Sequence, residues 1–205
     1  MKLVEPLNKL LEDVTSGEFV LVEYDSISQF PLLPLKLAVE NEGVLVEIGD
    51  KLSVKIPALL KRFEGYKEKL KKLKILNVSN YKLEIEGFDI HNVPLAELMS
   101  VITNIYSVLT ENRDKIIVID GMEILFMYYK TKNVLKDIAG LKITLSNSTI
   151  FCFVNYEVML KRDLALLESL ATTVLRFKGV LGREIVRYGY VIKTLSPIRS
   201  ESVTL

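Results

Sequence analysis

The sequence predicts an α/β fold: a doubly wound, mostly parallel central sheet of about five parallel strands plus a C-terminal β-hairpin, with helices on both faces. Three observations lead there. Short β-branched or aromatic runs alternate with helical segments along the chain, as βαβ units require. Two of the runs, Lys115 to Asp120 (KIIVID) and Thr149 to Val154 (TIFCFV), are apolar almost throughout, the mark of parallel strands covered on both faces. The last two runs flank GVLGRE, whose glycines suit a hairpin turn.

In chain order, MKLVEPLNKLLEDV reads as an amphipathic helix and Phe19 to Asp25 (FVLVEYD) as the first strand. Leu32 to Glu42 is a helix ended by Gly43, followed by a strand from Val44 to Ile48. Ser53 to Leu73 is expected as a long charged helix, interrupted by Gly65, before a strand at Lys74 to Val78. Val93 to Asn112 is expected as one helix whose face of Leu95, Leu98, Met99, Ile102, Ile105, Tyr106 and Leu109 turns to the core. After the strands KIIVID and TIFCFV come a helix at Glu157 to Leu170 and hairpin strands at Thr172 to Lys178 and Ile185 to Thr194. Residues 1–197 are expected to form one domain and 198–205 a short polar tail.

Composition narrows the function classes. The 205 residues carry 27 Lys and Arg against 26 Asp and Glu, so no global field recruits nucleic acid or an anionic membrane. Cys152 and His91 are each alone of their kind, which excludes a disulfide framework and a Cys/His zinc site within one chain. Cys152 reads as a small core residue and His91, ahead of a proline, as a surface or helix-start residue. No signal peptide opens the chain and no apolar run approaches the ~20 residues of a membrane span, so a cytoplasmic protein with no membrane partner is expected. A single glutamine beside abundant Lys, Glu, Ile and Leu leans toward thermophile usage.

Three patterns in fixed order carry a family resemblance. Ser16-Gly17 leads into the first strand, the fourth strand ends in Asp120, and the last hairpin runs from Val174 through Gly182-Arg183 to Lys193. In this the chain resembles the RecA-like ATPases, in particular their KaiC-like group, from about Val4 to Pro197, and a small uncharacterised archaeal family of such proteins. The resemblance implies a RecA-like fold and a phosphate-binding loop of the form G-x-x-x-x-G-K-[ST] after the first strand. Here that loop is Tyr24, Asp25, Ser26, Ile27, Ser28, Gln29, Phe30 and Pro31. Tyr24 and Gln29 stand for the glycines, Phe30 for the lysine and Pro31 for the hydroxyl. Ile27 resists the positive φ of a phosphate nest and Pro31 removes a donor, so the chemistry of phosphoryl transfer is missing. In the same family Arg183 and Lys193 resemble positions that serve a neighbouring subunit's phosphates, which leaves a homo-oligomer open.

Other constellations are weaker. Asp25, Asp50, Asp120 and Glu123 gather at the carboxyl ends of predicted strands, where open α/β sheets bind ligands. Asp25 and Asp120 can be read as magnesium ligands. The structural reading is preferred: Asp25 and Asp50 cap turns or helices and Asp120 is a buried hydrogen-bonded remnant, with no lysine or histidine near in sequence to serve as acid or base. Lys61, Arg62, Lys67, Lys69, Lys71, Lys72 and Lys74, interleaved with Phe63 and Tyr66, form a basic stretch that suits nucleic acid or, more simply, a solvated helix face. Tyr128 and Tyr129 belong to an apolar patch expected to pack in the core or to line a groove vacated by nucleotide.

Together these features describe a non-catalytic RecA-like module, a pseudo-ATPase that binds a protein or peptide partner, with no catalytic residue, cofactor or metal assigned. A nucleic-acid-associated protein using the basic stretch, with Arg183 and Arg187 as further contacts, is the second reading. A divalent-metal-dependent enzyme built on Asp25 and Asp120 is the third.

Overall fold

A parallel strand covered on both faces must present apolar side chains at odd and even positions alike, and the central runs of this chain do so. In a computed structural model that describes residues 2, 4–11, 14–28, 30–63, 65–96, 98–194 and 202–204, they form one sheet. The elements in chain order are a 3-10 turn at Leu7–Lys9, β1 (Phe19–Tyr24), α1 (Leu33–Glu40), β2 (Val44–Ile48), α2 (Leu52–Arg62), α3 (Tyr66–Lys71), β3 (Lys74–Ser79) and β4 (Asp89–Pro94). There follow α4 (Leu98–Glu111), β5 (Ile117–Asp120), α5 (Met122–Tyr128), α6 (Thr131–Thr144), β6 (Ile150–Asn155), α7 (Lys161–Leu170), β7 (Thr173–Leu181), β8 (Ile185–Lys193) and β9 (Ser202–Thr204).

The spatial order is β4-β3-β2-β5-β6-β1-β7-β8-β9. Every neighbouring pair from β4 to β7 is parallel, and β7–β8 and β8–β9 are antiparallel. The strand period of two divides the apolar residues cleanly. Phe19 and Leu21 of β1, Val44 and Val46 of β2 and Cys152 of β6 face a core shared with α4, α5 and α6. Val20, Val22, Leu45, Phe151 and Phe153 face the other core, closed by α1, α2, α3 and the N-terminal turn. Glu23, Glu47 and Asp120 sit at or near the carboxyl ends of these same buried strands, so the fold itself carries carboxylates out of water.

Several elements differ from the sequence expectation. The expected fold class holds, but seven strands run parallel, because Thr173–Leu181 adds parallel to β1 and because Asp89–Pro94 forms an extra edge strand. That strand, DIHNVP, is polar, half exposed and ends in proline, as an edge with a single neighbour allows, and it takes His91 and Val93 out of the expected connection and helix. Helix α4 starts only at Leu98, and Met99 of the supposed core face is 76% exposed. The N-terminal segment forms a 3-10 turn rather than an amphipathic helix, yet Val4, Leu7, Leu10 and Leu11 still bury against the sheet. The long charged helix is two, broken where Phe63 takes an extended backbone. Of the expected polar tail, Ser202–Thr204 pairs with Tyr188–Tyr190, and residues 195–201 and 205 lie outside the described residues.

Gly121 turns the chain from β5 into α5 with φ +86, and a Cβ there would collide with the Ile48 carbonyl. This turn separates Asp120, which pairs with Lys55, from Glu123, which lies near Lys51. Gly121→Ala is therefore expected to cost at least ~1–3 kcal/mol of stability in urea denaturation, from backbone strain alone.

Candidate functional site

Where a phosphate would need open backbone N–H groups, the loop after β1 is closed on itself. The Ser28 N–H donates to Asp25 Oδ1 at 2.6 Å and the Ser28 hydroxyl donates to the Phe177 carbonyl at 2.9 Å. The Ser26 N–H and hydroxyl both donate to Glu157 Oε2, at 3.0 and 2.6 Å. Asp25 also accepts from the Gly179 N–H at 2.8 Å and from the Tyr156 hydroxyl at 3.3 Å. The protein's own carboxylates thus take donors that a bound anion would need. Burial alone would raise the Asp25 carboxyl, but the bonds from Ser28, Gly179 and Tyr156 outweigh it and hold it below the usual range.

The rest of the loop contributes bulk. Ile27 lies against Gly179, where any Cβ would collide with it, and among the described non-glycine residues only Glu42 has a positive φ. Phe30 packs edge-on to Phe177 at 5.3 Å between centroids, and the Arg187 guanidinium lies 5.8 Å from the Phe30 ring centre and donates to the Ile27 carbonyl. Pro31 is exposed at the rim, and Gln29 lies outside the described residues. What remains between Tyr24, Phe30, Pro31, Lys55 and Asp120 is a cavity of ≈ 10 Å³, about one water molecule's worth, where drug-sized ligands occupy pockets of roughly 300–1,000 Å³.

A cation does reach this crevice, from a direction that sequence proximity does not reveal. Lys55, on the first turns of α2, inserts its ammonium between Glu47 of β2 and Asp120 of β5, paired neighbours in the sheet. Its Nζ donates to both Glu47 oxygens at 2.8 Å and to Asp120 Oδ2. All three residues are buried. Burial tends to lower the Lys55 ammonium, but Asp120 and Glu47 more than offset it and the net shift is upward. Glu47 is pushed up to about 8 by burial and then by the Asp120 charge, with Lys55 opposing only in part. Tyr24, which lines the same crevice, is held far above its ordinary range by burial and by the surrounding carboxylates.

Beside it, Arg176 of β7 joins Glu23 of β1 at 2.6 Å and Glu168 of α7 at 2.8 Å, stacking over the Tyr156 ring. Glu23 is fully buried and burial raises it to about 7. Lys193 donates to the Ala171 and Glu168 carbonyls, so it closes the carboxyl end of α7. Arg183 is exposed in the hairpin turn.

The remaining expected residues are dispersed. Asp50 accepts from the Ser79 hydroxyl in a separate pocket, and Glu123 is buried with Lys51 at 3.8 Å. Asp25 and Asp120 each have partners of their own. In the basic stretch, Lys69 pairs with Glu40, Lys71 with Glu68, Lys72 with Glu42 and Lys74 with Glu111, while Lys61, Arg62 and Lys67 make no ion pair among the described residues. His91 is exposed and bonded to Asn104, Cys152 is buried, and Tyr128 is exposed rather than packed. Sequence reasoning missed Lys55, Glu47, Glu157, Tyr156 and Arg176. The one available signal was the pair Glu23 and Glu47 inside otherwise apolar strands, since buried carboxylates call for cations.

The raised carboxyls set a pH dependence. Between the ordinary value of 4.5 and about 8, the folded state holds a proton on Glu47 that the unfolded chain has lost, so stability falls as pH rises through that window. Glu23 adds the same sign up to about 7. Glu47→Gln is expected to flatten the decline in Tm between these limits by a few degrees in thermal denaturation followed by circular dichroism. An unchanged slope would mean that Glu47 is already ionised in the folded protein.

No curated protein matches the chain. Among solved structures, the KaiC-like protein PH0186 from the hyperthermophilic archaeon Pyrococcus horikoshii OT3 is similar at 17% identity with a TM-score of 0.67, over 97% of this chain and 89% of that one. The protein PH0250 from Pyrococcus horikoshii OT3 is similar at 19% identity with a TM-score of 0.58, over 89% of each chain. At such identities the likeness concerns fold, and the fold is the KaiC-like, RecA-like one expected from the sequence. Residues 9–200 match the family described as "Pyrococcus protein of unknown function, DUF257", and the chain belongs to that family.

Proposed function

We propose that this chain is a non-catalytic member of the RecA-like fold, a cytoplasmic pseudo-ATPase that acts by binding a protein or peptide partner. The observation that carries this reading is the closed loop: Asp25 and Glu157 accept the N–H groups of Ser28 and Ser26. Phosphoryl transfer relies almost wholly on positioned donors and cations around the phosphates. In this crevice the donors are spent internally and Phe30 fills space. The Lys55 ammonium sits where it neutralises carboxylates rather than a ligand. A fold kept intact around a filled site retains surfaces on which another polypeptide can bind. A buried single cysteine and the lack, among the described residues, of any helix long and apolar enough to cross a membrane agree with the cytoplasmic setting.

Isothermal titration with MgATP and MgADP, paired with a phosphate-release assay, tests the reading. No saturable heat and no release are expected; micromolar binding together with turnover would overturn it. Lys55 supplies a second check. As a fixed counter-ion, its replacement by Met should cost ~3–5 kcal/mol at pH 8, where Glu47 and Asp120 are left facing each other, and less at pH 5, where Glu47 carries its own proton. A loss independent of pH would speak for packing alone.

A further inference from the structure

Away from the filled crevice, on the side of the sheet that α4, α5 and α6 cover, an open groove of ≈ 700 Å³ runs between the start of α4 and the junction of α5 with α6. Its apolar lining is exposed: Met99 at 76% and Tyr128 at 61%, with Met127 beside them at 68%. Two exposed large apolar side chains, Met99 and Tyr128, share this one concavity, which departs from the scattered single exposures of an ordinary surface. Tyr129 lines the wall and is fixed in place, its hydroxyl donating to the Leu95 carbonyl. Gly140 lets Tyr106 of α4 lie directly against α6 and donate to the Asp137 carbonyl, which locks the two helices that bound the groove. The groove is therefore framed by helices tied to each other, with Met99 and Tyr128 as its exposed apolar side chains.

Its charge is one-sided. Lys130 and Lys136 line it and Lys132 stands on the same turn of α6, and none of the three makes an ion pair among the described residues. Among the described residues Asp137 is the one carboxylate of the lining, and burial holds its carboxyl above the usual range. The N-cap residue of α6 is Lys130, which provides no side-chain acceptor for the first turn, so the positive end of the helix dipole adds to the same field.

We infer that this groove is the docking site for the partner, and that the partner presents an acidic peptide segment carrying an aromatic or aliphatic anchor. It rests on the partner-binding reading above and gives it a place and a chemistry. Polarizable, unbranched Met99 adapts to varied apolar side chains, Tyr128 offers a face for stacking, and Lys130 and Lys136 select carboxylates at the rim. Lys130 and Lys136 fall short of the longer track of cations that the evenly spaced phosphates of a nucleic acid call for.

Fluorescence anisotropy on the full chain tests this with fluorescein-labelled short peptides. One probe alternates Glu and Asp with Leu and Phe, a second keeps the apolar residues and replaces the acids by lysine, and a third is acidic without apolar residues; labelled oligo-dT stands for nucleic acid. The first probe is expected to bind at least about tenfold more tightly than any other, and to weaken about tenfold from low to moderate salt. Lys130→Glu combined with Lys136→Glu should reduce that binding by about tenfold or more, as should Tyr128→Ser, while Lys67→Glu on the opposite face of the sheet leaves it unchanged. These side chains are exposed, so unchanged thermal melting verifies that each variant is folded. Equal binding of the lysine peptide, preference for oligo-dT, no binding by any probe, or insensitivity to the groove substitutions would each overturn the assignment. If the groove fails and MgATP also does not bind, the non-catalytic reading stands and only its docking site is lost; MgATP binding with turnover removes the reading itself.

Discussion

The buried contact of Lys55 with Glu47 and Asp120 is the constraint around which the upper half of this molecule is arranged. Two neighbouring strands of a parallel sheet bring carboxyls side by side at their carboxyl ends, out of water, where like charges cannot both persist unanswered. An ammonium from α2 answers them. To deliver it, α2 must begin directly after β2 and pack with Leu52, Ile56 and Leu59 into the core beneath, so the position of the helix and the ionisation of the strand ends are one problem with one solution. A buried ion pair of this kind need not add stability relative to apolar residues of the same shape. It does fix which helix can sit there.

The same logic governs the loop after β1. A strand-to-helix turn at the edge of an α/β sheet leaves backbone donors pointing outward, and some acceptor has to meet them. Asp25 does so from within the turn and Glu157 from the turn after β6, while the Gly179 N–H reaches Asp25 from β7. Three segments far apart in sequence are tied together by two carboxylates. The closure explains why Ile27 is tolerated in a turn that elsewhere favours glycine: the turn no longer needs positive φ, and the close approach has moved to Gly179 on the facing strand.

How much of this was legible beforehand depends on range. Runs such as FVLVEY, IVID and IFCFVN are readable because both faces of a buried parallel strand demand the same kind of residue, and their order fixed the fold class. DIHNVP was not readable, because an edge strand with one neighbour carries almost no apolar signature. Met99 illustrates a different failure: it has the right spacing for a core face, but α4 starts five residues later than the pattern suggests, and Met99 is left exposed at its start. The loop substitutions Tyr24, Phe30 and Pro31 were visible as losses of chemistry. Their replacements, Lys55 and Glu157, were not, since each arrives through a tertiary contact that no local pattern encodes.

The two hydrophobic cores clarify why the fold survives a filled site. Neither core depends on a ligand: on one side Leu21, Val46 and Ile119 meet α4 and α5, on the other Val22, Leu45 and Val118 meet α1 and α2. The crevice between strand ends lies above both layers, so its residues are free to change as long as every buried charge and donor finds a partner. Asp25 and Lys55 meet that condition by bonding, and Phe30 fills space by packing against Phe177. What such a change removes is the energetic reason for an anion to enter, because the loop donors it would use are already taken by Asp25 and Glu157. A surface elsewhere, with exposed apolar side chains and lysines that have no ion-pair partner among the described residues, retains the unmet interactions that binding requires.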